Sequence, residues 1–365
     1  MNNKGLKTEG TRLANWDVLR TLMMFLVVVV HMGASAPIIQ GHSTGAVVSN
    51  MALICDPIFF MLSGYFSIRA LKGTYRNYIG KKAITVVLPM VIYALISFVF
   101  QKYLLQQHQP GFFAYLVQLL RSGYWFIPAL LPFLLVAPLL YRMLGALKDR
   151  EVLLLTYLAL ALFAVNIICS VVSAMIGGKL TGELQSLVQV IQTLVQPIAF
   201  AQFFVFFIFG YVIKRLALIW PRATQYRWMM VGSVAWITDS AFVVLHIRQG
   251  DPSFLWMFTT MGVFLIVDWL KINSQWISRV FEWTAKRSYA VYLTQFALLP
   301  IISSTIYGAV NYHSRSAFGQ SVIWIAVTIC VYLSSLLVAT VVDGLVSDPL
   351  QRCLLKFNHR VSTSH

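Results

Sequence analysis

Ten apolar runs follow one another along the chain, at residues 18–36, 46–66, 84–104, 125–141, 152–175, 187–213, 228–246, 253–270, 288–307 and 321–342. A helix that crosses a bilayer needs about 20 such residues. In hydrocarbon every backbone N–H and C=O must be satisfied internally, which an α-helix achieves within one segment. The pattern predicts an all-α, polytopic integral membrane protein with about ten transmembrane helices. It divides into an N-terminal segment over 1–15, one membrane domain over 16–345 and a tail over 346–365. Within the gap 105–124, Phe112–Leu120 reads as a short helix lying in the membrane interface. Pro89, Pro197 and Pro300 each interrupt a span, and Pro128 and Pro132, four residues apart on one face, predict a kinked fourth span.

The polar residues between the runs set the expected orientation. Of the 28 Lys and Arg, five (Lys102, Arg121, Lys179, Arg248 and Arg315) fall in odd-numbered gaps, and the others lie at the two ends and in the even-numbered gaps. Lys and Arg collect on the cytoplasmic side of membrane proteins, so both termini and the even gaps are expected in the cytoplasm, and the protein in the cell membrane as a multi-pass chain. Leu22–Val30 followed by Ala34-Ser35-Ala36 has the outline of a signal peptide. Pro37 and the charged groups in the run speak against cleavage.

Composition agrees. Hydrophobic residues make up 59% of the 365 and charged residues 11%, too few charges to coat a water-facing surface. A soluble enzyme is excluded. The net charge of +16 does not point to nucleic acid, because the basic residues sit in short gaps with no aromatic-interleaved basic face to track phosphates. The four Cys show neither C-x-x-C nor Cys/His spacing, so no disulfide framework or metal site is expected.

Ionisable groups inside a bilayer are costly and by default mark function. In the first span Arg20 is followed eleven residues later by His31. Eleven helical steps return to within about 20° of the starting azimuth and rise about 16 Å, so the two share a face, with Met24 and Val27 between them. Asp17 is placed to pair with Arg20. Asp56, beside Pro57 at comparable depth, is a candidate to orient the imidazole as carboxylates do in triads; a packing role is the alternative. Ser63-Gly64 reads as a small-residue contact between helices rather than a nucleophile. Trp125 is an interfacial anchor or a sugar-stacking platform. Gln185, Gln189, Gln192 and Gln196, spaced 4, 3, 4, line one face of the sixth span, either bonding other helices or offering Gln189 and Gln192 to a polyhydroxylated acceptor.

Several strings carry a resemblance in a consistent order: Trp16-Asp17-Val18-Leu19-Arg20 with His31; Phe59-Phe60-Met61-Leu62-Ser63-Gly64-Tyr65; Lys81-Lys82 before Pro89; Tyr124-Trp125-Phe126-Ile127; and Ser288-Tyr289-Ala290-Val291-Tyr292-Leu293. Together they resemble the membrane acyltransferase-3 family over about residues 12–345. Two departures stand out. Many members have R-x-x-R where this chain has Lys81-Lys82, and many have His after the last element where this chain has Thr294-Gln295. Some members carry a fused extracytoplasmic hydrolase-like domain; this chain ends soon after the last span, so a stand-alone module is expected.

The resemblance implies an O-acetyltransferase-like enzyme that takes an acyl group, acetyl foremost, from cytoplasmic acyl-CoA. The acceptor is a hydroxyl of an extracytoplasmic or lipid-linked glycan, which would make it a polysaccharide-modifying enzyme. Acyl-CoA is a co-substrate, and no permanently bound cofactor or metal is expected. His31 is the expected general base or acyl carrier, and Arg20, Lys81, Lys82, Arg69 and Arg76 the expected partners of the donor phosphates. A transporter or flippase using the same buried histidine is the alternative.

Overall fold

A computed structural model describes residues 14–39, 42–108, 111–176, 203–245, 247 and 252–363. The described chain closes its backbone hydrogen bonds almost wholly within helices. These are α1 (Ala14–Met32), α2 (Thr44–Ala52), α3 (Cys55–Ser67), α4 (Tyr75–Lys82), α5 (Leu88–Val99), α6 (Phe112–Arg121), α7 (Phe126–Ala146) and α8 (Asp149–Ile176). They continue as α9 (Phe204–Ile219), α10 (Arg222–Val244), α11 (Trp256–Trp269), α12 (Gln275–Lys286), α13 (Ser288–Ala309), α14 (Ala317–Val342) and α15 (Asp348–Thr363). The only extended pairing among the described residues is an antiparallel two-residue ladder, β1 (Ile38–Ile39) with β2 (His42–Ser43), in which Ile38 faces Ser43.

Seven helical segments among the described residues are long and apolar enough to cross a membrane: Ala14–Ser35, Thr44–Ser67, Tyr75–Leu104, Phe126–Ala146, Asp149–Val172, Ser288–Ala309 and Ala317–Asn358. The chain is therefore an all-α polytopic membrane protein. The other three apolar runs also carry helices, but α9 and α11 are shorter and α10 is more polar. The 14 residues of α11 rise about 21 Å, less than the roughly 30 Å of a hydrocarbon core. Most of its side chains are buried by neighbouring helices, so protein rather than lipid surrounds it. Lipid instead meets outward leucines such as Leu154, Leu218 and Leu337, which are 68%, 84% and 66% exposed.

Close approach at glycine fixes the packing. A Cβ on Gly64 would lie 1.7 Å from the Phe207 carbonyl oxygen, and one on Gly210 would lie 2.0 Å from that of Met61, so α3 and α9 touch backbone to backbone. Gly232 and Gly262 do the same for α10 and α11. Small residues at such crossings are how membrane helices gain van der Waals contact without a hydrophobic driving force, and Gly64 plays the packing part expected of Ser63-Gly64. Around these crossings sit buried aromatics. Trp16 lies 4.4 Å from the Tyr65 ring and 5.2 Å from that of Phe264, and Phe60 stacks on Phe203 at 4.6 Å.

Of the prolines expected to interrupt spans, Pro300 does not. Pro132 and Pro138 lie inside an uninterrupted α7, and Pro300 inside an uninterrupted α13. Pro89 follows a π turn over Ala83–Val87 and opens α5; Pro197 is outside the described residues. Proline leaves the carbonyl four residues back without its donor, and for Pro138 that carbonyl is Leu134. The Tyr78 hydroxyl donates to it at 2.5 Å, and the Tyr75 hydroxyl donates to the adjacent Leu135 carbonyl. Helix α4 thus repairs α7 and is docked by the repair. The span that does break is the second: α2 ends at Ala52 and α3 begins at Cys55, just before Pro57. Trp236 of α10 donates its indole N–H to the Met51 carbonyl at 3.0 Å, and the Asp56 amide donates to the Leu53 carbonyl at 3.1 Å. A break at this depth is tolerated because it adjoins a cavity.

Candidate functional site

That cavity, of about 360 Å³, is walled by α1, α3, α7 and α13, with the end of α12 at one side. Arg20, Met24, Val27 and His31 all line it, as their common face on α1 requires. Asp56 joins them because the break in the second span sets it in the first turn of α3, where a carboxylate also suits the positive end of the helix dipole. Phe59 and Ser63 continue the α3 wall, and Trp125 and Phe126 open the α7 wall.

The rings of the site form a connected set. The imidazole of His31 meets the Phe296 ring edge to face at 4.7 Å. Phe296 is flanked by Tyr292 at 5.8 Å and Tyr124 at 6.0 Å. Those two tyrosines are pinned in turn: the Tyr292 hydroxyl donates to the Gly123 carbonyl at 2.6 Å and the Tyr124 hydroxyl to that of Leu293 at 2.7 Å. The Tyr289 hydroxyl donates to the Val86 carbonyl at 2.8 Å, tying the same helix to the π turn before α5. The spaced aromatics of Ser288–Leu293 therefore hold α13 against α7 and α5 and present a ring to His31. The Ser288 hydroxyl, in the cavity wall, is buried without a hydrogen-bond partner among the described residues.

At the other end of the α1 face, the Arg20 guanidinium lies 4.6 Å from the centroid of Phe66. Phe66 also walls a second cavity, of about 600 Å³, lined by Arg69, Lys72, Lys81 and Lys82 with Asn77 and Tyr78 of α4. A basic vestibule and an apolar chamber containing a histidine thus meet at Arg20 and Phe66. Lys214 of α9 belongs to the same junction. Its ammonium donates to the Tyr65 carbonyl, lies 3.9 Å from the Tyr65 ring centroid and 5.7 Å from that of Phe66. Sequence counting used Lys214 only as a topological charge; its site position depends on the Gly64–Gly210 crossing, which brings α9 against α3.

Of the residues singled out from sequence, Arg20, His31, Asp56 and Trp125 come together in the chamber, and Arg69, Lys81 and Lys82 in the vestibule. Arg76 is not in either wall: it is exposed on α4, about 100° around the helix from Asn77, whose face carries Lys81. Trp125 is half-buried, 5.7 Å from Phe203 and 6.2 Å from Phe126, and is part of the chamber wall. Gln189 and Gln192 lie outside the described residues, as do Gln185 and Gln196. Asp239 is a buried acceptor for Asn50 (2.8 Å), Ser253 (2.5 Å) and Trp256 (3.0 Å), and fastens α2, α10 and α11 to one another.

A family model described as an acyltransferase domain matches residues 13–343. The chain belongs to the acyltransferase-3 family. This membrane acyltransferase carries the matched domain over nearly its whole length, and the match takes in every wall of the chamber. No curated protein and no solved structure matches the chain. Within an acyltransferase, the chamber supplies an imidazole for proton transfer or acyl carriage, and the vestibule supplies cations suited to an anionic donor.

Proposed function

We propose that this acyltransferase moves an acetyl group from cytoplasmic acetyl-CoA to a hydroxyl of an extracytoplasmic or lipid-linked glycan, and that it resides in the cell membrane with both termini in the cytoplasm. The observation that carries the reading is the placement of Arg20 and His31 at two levels of one cavity, with the Arg20 end opening beside a vestibule of four cations. The donor phosphates pair with Arg69, Lys81 and Lys82, with Lys72 beside them. Arg20 and Lys214 lie against the Phe66 ring, 4.6 and 5.7 Å from its centroid, between the two cavities. The pantetheine arm follows the α1 face past Met24 and Val27, bringing the thioester to His31 over the roughly 16 Å that eleven helical residues span.

At that point an imidazole nitrogen of His31 takes the proton of the acceptor hydroxyl as its oxygen attacks the thioester carbonyl. The C–O bond forms, the C–S bond breaks, and the departing thiolate of CoA receives the proton from the imidazolium. The positioned pair converts a reaction between two solutes into one within a single cavity, a large share of any enzymatic rate gain. Asp56 lines the same chamber and bears on the orientation of the imidazole. Trp125 offers a ring face on which a sugar can stack.

The test uses purified protein, acetyl-CoA labelled in the acetyl group, and extracted membrane glycans. The wild type is expected to release CoA and label the glycan. His31→Ala should abolish both while the protein accumulates in the membrane at its normal level; full activity in that variant would end the assignment. Movement of unmodified substrate across vesicles with no CoA release would favour a transporter instead.

A further inference from the structure

The family match ends at residue 343, but the wall of the basic vestibule does not. Leu355 and Asn358, both from α15, line it together with Asn77 and Tyr78 of α4. The two helices are in intimate contact: a Cβ on Gly80 would come 2.8 Å from Asn358 Oδ1. Glycine at position 80 is what lets the Asn358 side chain settle on the α4 backbone.

The vestibule wall is chemically divided. Arg69, Lys72, Lys81 and Lys82 supply cations, the Lys82 ammonium lying 5.5 Å from the Tyr78 ring centroid, whereas Asn77, Asn358 and Leu355 make an uncharged corner beside them. A carboxamide pairs with the donor and acceptor atoms of an adenine edge. Cations next to such a corner fit a phosphorylated nucleoside better than a bare phosphate.

We propose that α15 is the nucleotide-reading wall of the acyl-donor site, with Asn358 and Asn77 receiving the adenine of acyl-CoA while the adjacent cations take its phosphates. The inference rests on the donor reading above and adds to it an element outside the matched domain. It makes the enzyme selective for donors that carry the nucleotide over acyl-pantetheine, which lacks it.

The experiment uses the full chain in detergent and three probes: acetyl-CoA, adenosine 3′,5′-bisphosphate as the nucleotide half alone, and inorganic pyrophosphate as the anion without a base. Asn358→Leu is expected to weaken binding of acetyl-CoA and of the bisphosphate about tenfold, the scale of one lost hydrogen bond to a buried partner, and to leave pyrophosphate binding within twofold. Asn77→Leu, on the other helix, should do the same. Equal weakening of all three probes would mean general damage to the vestibule and would overturn the assignment. So would unchanged bisphosphate binding in both variants, or a wild type that consumes acetyl-CoA without binding the bisphosphate. A wild type that neither binds nor consumes acetyl-CoA would instead remove the donor reading beneath it.

Discussion

His31 is held from one side by a ring. Phe296 gives the imidazole an edge-to-face partner at 4.7 Å, itself set between two hydrogen-bonded tyrosines. Replacing it by alanine should let the imidazole swing without altering the vestibule. Because a misplacement of about 1 Å can cost on the order of 100-fold, Phe296→Ala is expected to lower kcat roughly 10- to 100-fold with KM for acetyl-CoA little changed, and Phe296→Tyr to recover most of the loss. A fall in KM-dependent binding alone, with kcat intact, would contradict a positioning part for this ring. Arg20 and His31 were legible in the sequence because helical periodicity fixes the azimuth of residues on one element. Phe296, Lys214 and Asn358 were not, since each reaches the site across a contact between elements that no local pattern records. Arg76 shows the converse: proximity in sequence to Lys81 suggested a shared task, and five helical steps leave the two about 140° apart around α4.

Elements here are joined by repairs as much as by apolar packing. The Leu134 carbonyl, deprived of its donor by Pro138, is bonded by Tyr78. A buried carbonyl left unsatisfied costs about 1–3 kcal/mol, so Tyr78→Phe should lower the thermal stability of the detergent-solubilised protein by that order. With Pro138→Ala, which restores the helical N–H, the same tyrosine substitution should cost markedly less. A double-mutant cycle by thermal unfolding checks this, and additive losses would mean that the hydroxyl and the proline act independently. At this scale the sequence located the helices well, because apolar runs of membrane length have few other uses. It misplaced the interruption. Hydropathy is continuous across 46–66, whereas proline stands out at 89, 132 and 300, yet helices absorb those prolines while the second span parts before Pro57. In both outcomes a neighbour satisfies the freed carbonyl, Tyr78 at Leu134 and Trp236 at Met51, and such partners are a tertiary fact that no local pattern records.

For the molecule as a whole, the crossing of α3 and α9 is the joint behind the chamber, since it brings Lys214 to Tyr65 and backs the helix that carries Phe59 and Ser63 of the chamber wall. Gly64→Leu inserts a side chain where even a Cβ would overlap the Phe207 carbonyl. It should reduce the folded yield in membranes severely and abolish labelling, whereas Gly308→Leu, which has open space around its Cβ position, should be tolerated. Size-exclusion profiles of the two proteins in detergent distinguish these outcomes, and a monodisperse, active Gly64→Leu protein would refute the joint. The fold class was readable from composition and spacing alone, because the medium dictates it. The outward leucines, from Leu154 on α8 to Leu337 on α14, bind that medium into every measurement. Once extracted, the chain travels inside a belt of amphiphile that fills in for acyl tails, so a melting temperature or a rate constant belongs to the pair, and changing the surfactant changes the object under study.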